Sequence, residues 1–156
     1  MTRRHARLVG AALAASGPAF AQDRFARSSV RSLTDSQWRA RLQPAAYAVL
    51  RRAATERAFT SPLNDEHRRG VFSCAGCALP LFQSSWKFDS GTGWPSFFRV
   101  MNDNIGSSTD RSAGMVRTEY HCAQCLGHQG HLFNDGPRPT GLRYCNNGVA
   151  LTFTPA

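Results

Sequence analysis

Gly70-Val71-Phe72-Ser73-Cys74-Ala75-Gly76-Cys77-Ala78-Leu79-Pro80-Leu81-Phe82 is the stretch on which the fold turns. Apolar residues lead into a C-x-x-C and apolar residues lead out of it. This is the short strand, metal knuckle, short strand pattern of a zinc ribbon. A second C-x-x-C, Cys122-Ala123-Gln124-Cys125, follows the strand-like run 115–120. A two-residue spacer lets both sulfurs of one pair face a single ion. Two pairs in one domain therefore predict one tetrahedral site made by Cys74, Cys77, Cys122 and Cys125. Zinc suits four thiolates, because it is borderline-soft and asks only for tetrahedral packing. Such a site has no open position, so its expected role is structural, with one zinc per chain. Three other uses compete. Disulfides are open to an exported protein. A thioredoxin-like redox pair is a second option. Haem attachment needs C-x-x-C-H, and Ala78 and Leu126 stand where that His would be.

Outward from the knuckles, residues 70–153 read as antiparallel β with many turns. Strands are expected at 97–101, 115–120, 132–133 and 142–153, with a turn-rich loop at 89–93 and a polar connection over 102–114. Before residue 70 the texture is helical. Thr34 with Gln37 forms a capping-box pattern, and Trp38 and Leu42 follow at helical spacing. Pro44 ends that helix or starts the next, which should run over 45–54.

A fifth cysteine, Cys145, stands alone in Arg143-Tyr144-Cys145-Asn146-Asn147. An unpaired thiol among polar residues is a candidate nucleophile. On a strand, Arg143, Cys145 and Asn147 share a face, with Val149, Leu151 and Phe153 continuing it as core. Arg143 would favour the thiolate, and Asn147 offers an amide to a polar substrate. The competing reading is a small cysteine buried in a β core. His128 and His131, three apart beside the second knuckle, suit acid–base work, since four cysteines already serve the metal. Trp94, on a Gly-rich turn made rigid by Pro95, presents an indole face suited to a methyl on an electron-poor centre. Core packing is the alternative for that segment.

With 156 residues and 42% hydrophobic composition the chain fits one domain. Arg3, Arg4 and Arg7, the weakly apolar run 8–15 and Ala19-Phe20-Ala21 read as an export signal over 1–21, by the Sec or twin-arginine route, giving a periplasmic location. Residues 22–32 read as a flexible leader and 33–156 as the domain. The formal charge of +9 becomes +6 without the signal, which holds three arginines and no acid. Basic residues are not interleaved with aromatics, so nucleic-acid binding is not expected. Nothing after the signal resembles a membrane segment, and a monomer is the default expectation.

Several motifs together resemble the B-type peptide methionine sulfoxide reductases. They are Thr55-Glu56-Arg57, the 70–77 stretch, Lys87-Phe-Asp-Ser-Gly-Thr-Gly-Trp-Pro-Ser-Phe97, Arg117-Thr-Glu119, Cys122-x-x-Cys125, Gly127-His-x-Gly-His-x-Phe133 and Arg143-Tyr-Cys-x-Asn147. The resemblance implies a mainly β fold: two small antiparallel sheets with short N-terminal helices and a zinc-ribbon-like pair of knuckles carrying four cysteines. It implies reduction of the R epimer of methionine sulfoxide in oxidised proteins or peptides. It makes Cys145 the nucleophile, His128, His131 and Asn147 the groups that position water and protons, Trp94 the cradle of the substrate methyl and Phe133 a pocket wall. It also implies a structural zinc on the four knuckle cysteines. Two positions depart from the family pattern. Thr92 stands where many members carry a resolving cysteine, and Gly148 stands where many have Ser. No internal thiol then remains to recycle Cys145, so a thioredoxin-like or small-thiol reductant is expected. A zinc-ribbon binding module without catalysis is the alternative, and it gives Cys145 no purpose.

Overall fold

The computed structural model describes residues 23–101 and 103–156; the export signal expected over 1–21 lies outside them. Helix α1 spans Asp35–Arg41 and α2 spans Pro44–Arg52. The strands are β1 (Gly70–Cys74), β2 (Pro80–Gln83), β3 (Lys87–Phe88), β4 (Ser96–Phe97), β5 (Ile105–Asp110), β6 (Arg117–Cys122), β7 (His128–Phe133), β8 (Arg143–Asn146) and β9 (Leu151–Pro155). The capping box at α1 is formed. Gln37 N–H donates to Thr34 Oγ1 and Thr34 N–H donates to Gln37 Oε1 at 2.8 Å. Pro44 is the first residue of α2, where its missing N–H costs nothing. That helix ends at Ala53, which takes a left-handed conformation. Among the described residues, no helix is long and apolar enough to cross a membrane.

Two antiparallel sheets form, one ordered β2-β1-β9 and the other β3-β4-β8-β7-β6-β5. Aromatic side chains from both fill the space between them. Phe82 stacks on Phe97 with centroids 4.1 Å apart, Phe72 meets Phe97 edge-on, and Tyr120 meets Tyr144 edge-on. All five are buried. Edge and offset contacts of this kind add to the stabilisation from area burial alone. Trp38, Tyr47, Val49 and Leu50 join the same core from the helices.

Three expectations need correction. The strand expected at 97–101 is only Ser96–Phe97, and the polar connection expected at 102–114 contains β5. β5 (Ile-Gly-Ser-Ser-Thr-Asp) buries no residue, so it shows no apolar alternation. Backbone pairing to β6, from Ile105 opposite Cys122 to Asp110 opposite Arg117, is what places it. The continuous strand expected over 142–153 breaks at Asn147. A 3-10 turn over Gly148–Ala150 carries the chain from one sheet to the other. Val149, Leu151 and Phe153 therefore do not extend the face of Cys145. Gly148 belongs to this crossing. A Cβ there would lie 1.9 Å from Ser61 Oγ, and its N–H donates to Glu56 Oε2 at 2.6 Å.

Candidate metal centre and active-site pocket

Each knuckle is the same turn built twice. Cys74 closes β1 and Cys122 closes β6. Cys74 N–H donates to Leu79 O, and Cys122 N–H to Gly127 O, both at 2.9 Å. Ala78 N–H donates back to Cys74 O, and Leu126 N–H to Cys122 O. Ala78 and Leu126 both take positive φ, at 61° and 60°. This curl aims both sulfurs of a pair at one point. The four Sγ atoms lie within 4.8 Å of one another. Cys74–Cys125 and Cys77–Cys122 are each 3.5 Å apart, and all four are free thiols. A disulfide would need about 2.0 Å. A tetrahedron of sulfurs about 2.3 Å from zinc has edges of about 3.8 Å, so the donor set and its size fit one such ion.

The described part of the leader read over 22–32 reaches the second knuckle through Arg31. Arg31 donates from Nε to Gln124 O and from Nη2 to Ala123 O, at 3.0 and 2.6 Å. Arg51 Nη1 donates to Cys125 O at 3.0 Å. Three knuckle carbonyls are thus held by two cations.

Cys145 lies in the middle of the larger sheet, half-buried. His131 is its cross-strand partner on β7, and Ser96 is its partner on β4. Gly130 makes the tight β7–β8 approach possible, since a Cβ there would sit 1.9 Å from Cys145 O. The register between β6 and β7 slips by one residue, leaving Gln129 without a partner. This bulge resets the alternation of β7. His128 and His131, three apart, consequently stand with ring centroids 5.5 Å apart.

A cavity of about 100 Å³ opens beside the Cys145 thiol, lined by Trp94, Arg117, His131, Phe133, Asn147 and Thr55 among others. That volume takes the end of one side chain; whole small-molecule sites run to about 300–1,000 Å³. Trp94 Nε1 donates to Glu56 O at 2.9 Å, which fixes the indole. Asn147 Oδ1 accepts from Glu56 N–H, and Asn147 Nδ2 donates to Gln129 O. Glu56 therefore holds both Trp94 and Asn147. His128 lies outside the cavity, on the neighbouring groove that also contains Glu119. The structure brings the lone cysteine, His131, Asn147, Trp94 and Phe133 together around one cavity and leaves His128 on the adjoining groove. Arg143, on the same strand as Cys145, does not line this cavity but acts on the thiol.

Charges around the pocket are paired. Arg143 donates to both oxygens of Asp135, at 2.7 and 2.8 Å, and its guanidinium stacks 4.2 Å from the Phe133 ring centroid. Burial pushes the Cys145 thiol above its ordinary value. The Arg143 cation and hydrogen bonds with Thr92 and Arg143 oppose that push without cancelling it. His131 Nε2 lies 2.8 Å from Asp110 Oδ2, which also accepts from Arg117 at 2.7 Å. Burial lowers the His131 pKa, and the Asp110 hydrogen bond works against that shift without cancelling it. Hydrogen bonds from Ser112, and then from His131, hold the Asp110 carboxyl well below the usual range. Glu119 bridges His128 and His121, at 2.9 and 3.0 Å. Burial disfavours its ionisation, but bonds with His121, His128 and Ser108 win and hold its carboxyl at about 2.

Sequence reading gave no role to Asp110, Glu119, Asp135 or Glu56. Glu56 and Glu119 lie in the motifs quoted above, which is a signal without an assignment. Asp110 lies on the strand that the sequence concealed, and Asp135 in a turn.

A family model described as "SelR domain" matches residues 42–155. Curated relatives named peptide methionine sulfoxide reductase MsrB are similar over most of the chain. One from Thiobacillus denitrificans is 55% identical over 123 residues, covering 78% of this chain and 93% of the relative. One from Pseudomonas putida is 54% identical, covering 78% and 92%. One from Bradyrhizobium diazoefficiens is 52% identical, covering 78% and 88%. A cysteine between two strands, an indole fixed across from it, a four-sulfur knuckle pair and these relatives agree: the chain belongs to the B-type peptide methionine sulfoxide reductase family.

Proposed function

We propose that this protein reduces the R epimer of methionine sulfoxide in proteins and peptides, with Cys145 as nucleophile and an external thiol as reductant. The carrying observation is the small cavity where the Cys145 thiol faces a fixed indole and an aromatic wall. A thioether-sized group enters with its methyl against Trp94, since cation-like sulfur is favoured over an indole face. His131, with His128 behind it, supplies the proton that makes the sulfoxide electrophilic, directly or through water. The Cys145 thiolate attacks the sulfur of the protonated sulfoxide and forms an S–S bond to it. The hydroxyl then passes from that sulfur to Cys145 Sγ as the S–O and S–S bonds to the substrate break, leaving Cys145 as sulfenic acid and releasing methionine with two electrons gained. An external thiol then condenses with the sulfenic acid, releasing water and forming a mixed disulfide. A second thiol displaces Cys145 in the reduced state. The four-cysteine cluster carries one structural zinc in this reading, and chemistry at that ion is confined to holding the fold. The export signal read over 1–21 supports a periplasmic site of repair.

Separate R and S sulfoxides of a blocked methionine peptide test the reaction, with a dithiol as reductant. Turnover of R with none of S is expected. Equal turnover of the two epimers, or none of either, overturns the reading.

Arg143 supplies a second check. Arg143→Met removes the cation that works against burial at Cys145, so the thiol pKa rises further. The limb of kcat/KM that tracks thiolate formation then moves to higher pH. At neutral pH the loss is tenfold for every unit the limb moves. Activity should recover at alkaline pH, which a merely misfolded pocket would not allow. An unmoved limb would dismiss the electrostatic role.

A further inference from the structure

Gln129 is the bulged residue of β7, and its side chain is fully buried. It lies between the two centres of the molecule. Its Nε2 donates to Cys74 Sγ at 3.2 Å, and its Oε1 accepts from Asn146 Nδ2 at 3.3 Å. Asn146, also fully buried, accepts at Oδ1 from Tyr120 OH at 2.6 Å and donates from Nδ2 to Asn147 O at 2.8 Å. The backbone carbonyl of Gln129 accepts from both Asn147 N–H and Asn147 Nδ2, each at 2.9 Å. One residue therefore touches a metal-ligating sulfur, the neighbour of the nucleophile and the last pocket amide.

The direction of these bonds follows from chemistry. A metal-bound thiolate accepts hydrogen bonds and donates none. The Gln129 amide must therefore turn its NH2 to Cys74, which leaves its oxygen for Asn146. Asn146 must then donate to Gln129, which leaves its own oxygen for the tyrosine hydroxyl. Each amide has one allowed orientation, and the sulfur sets the first.

We propose that Gln129 is the positioning residue through which the four-cysteine centre fixes the strand end carrying Cys145, Asn146 and Asn147. The inference rests on the reductase reading above and on a metal in the cysteine cluster. Hydrogen-bond partners around metal ligands are commonly worth about ten- to a hundredfold in metal affinity or activity.

Gln129→Met keeps length and approximate volume but offers no donor to sulfur and no acceptor to Asn146. Three readouts apply. Zinc transfer from the loaded protein to a colorimetric chelator should accelerate by about tenfold or more. Hydrogen exchange at the Asn147 amide should speed up relative to amides of β1. Activity on the R-sulfoxide peptide should fall in kcat by about tenfold with KM little changed, because Trp94 and Phe133 are untouched. If Gln129→Met does not accumulate as folded protein, Gln129→Glu carries the same comparison. It has the same size, but an oxygen faces the thiolate, so zinc release should again accelerate. Unchanged zinc release and unchanged Asn147 exchange, with only a lower melting temperature, would overturn the proposal. The zinc and exchange readouts need no turnover. Failure of the reductase reading would appear instead as an inactive wild-type enzyme.

Discussion

Cys145→Ser should lose sulfoxide reduction by more than about a thousandfold, the scale expected when a covalent nucleophile is removed. A serine hydroxyl is a far weaker nucleophile than a thiolate at neutral pH, because it ionises far less readily than a thiol. The pocket walls do not change, so the variant should still bind the oxidised peptide. Wild-type protein given substrate and no reductant should gain the mass of one oxygen on Cys145 and then stop. The side chains of Thr92 and Arg143, which act on its thiol, cannot form a disulfide. The sulfurs of the other four cysteines are drawn together in their own cluster. Two results would overturn this account: substantial turnover by the serine variant, or a disulfide between Cys145 and any of Cys74, Cys77, Cys122 and Cys125.

Stripping the metal should have the larger structural effect. Binding of a structural zinc is worth about 10–16 kcal/mol at neutral pH, against about 5–15 kcal/mol for the net stability of a typical domain. The cluster joins the last residue of β1 to the last residue of β6, so it ties one sheet to the other. A strong chelator should therefore abolish the cooperative thermal transition, and Cys122→Ser should do the same without chelator. Circular dichroism reads both. A reducing agent alone should leave the transition in place, which separates a thiolate cluster from a pair of disulfides. A melting curve indifferent to the chelator would defeat the claim.

Much of this arrangement was legible in the chain, for reasons that differ by element. The knuckles were readable because two C-x-x-C pairs in one domain offer four sulfurs to a single ion. The α1 cap was readable because Thr34 and Gln37 satisfy each other locally. β5 was not, because an edge strand with polar side chains owes its place to backbone pairing and carries no alternation. The break at Asn147 was hidden for a related reason. The residues on both sides favour strands, and the chain turns at Gly148, whose N–H is held by Glu56 and whose missing side chain leaves room for Ser61. In the pocket, the groups that would act on substrate were identifiable by type. The carboxylates that orient them were not, since Asp110 and Glu119 reach their histidines across strands. The closeness of His128 and His131 depends on a one-residue slip in register that no local pattern announces.

β1 pairs along its whole length with β9, Gly70 lying opposite Pro155. Every strand of the larger sheet is encoded between those two partners. On a ribosome, β1 therefore emerges early and waits while all of that sheet is synthesised. The smaller sheet closes last, across a loop that spans the whole of the larger one. A nascent chain stalled anywhere before β9 would leave its first strand with one bare edge, open to pairing with another copy.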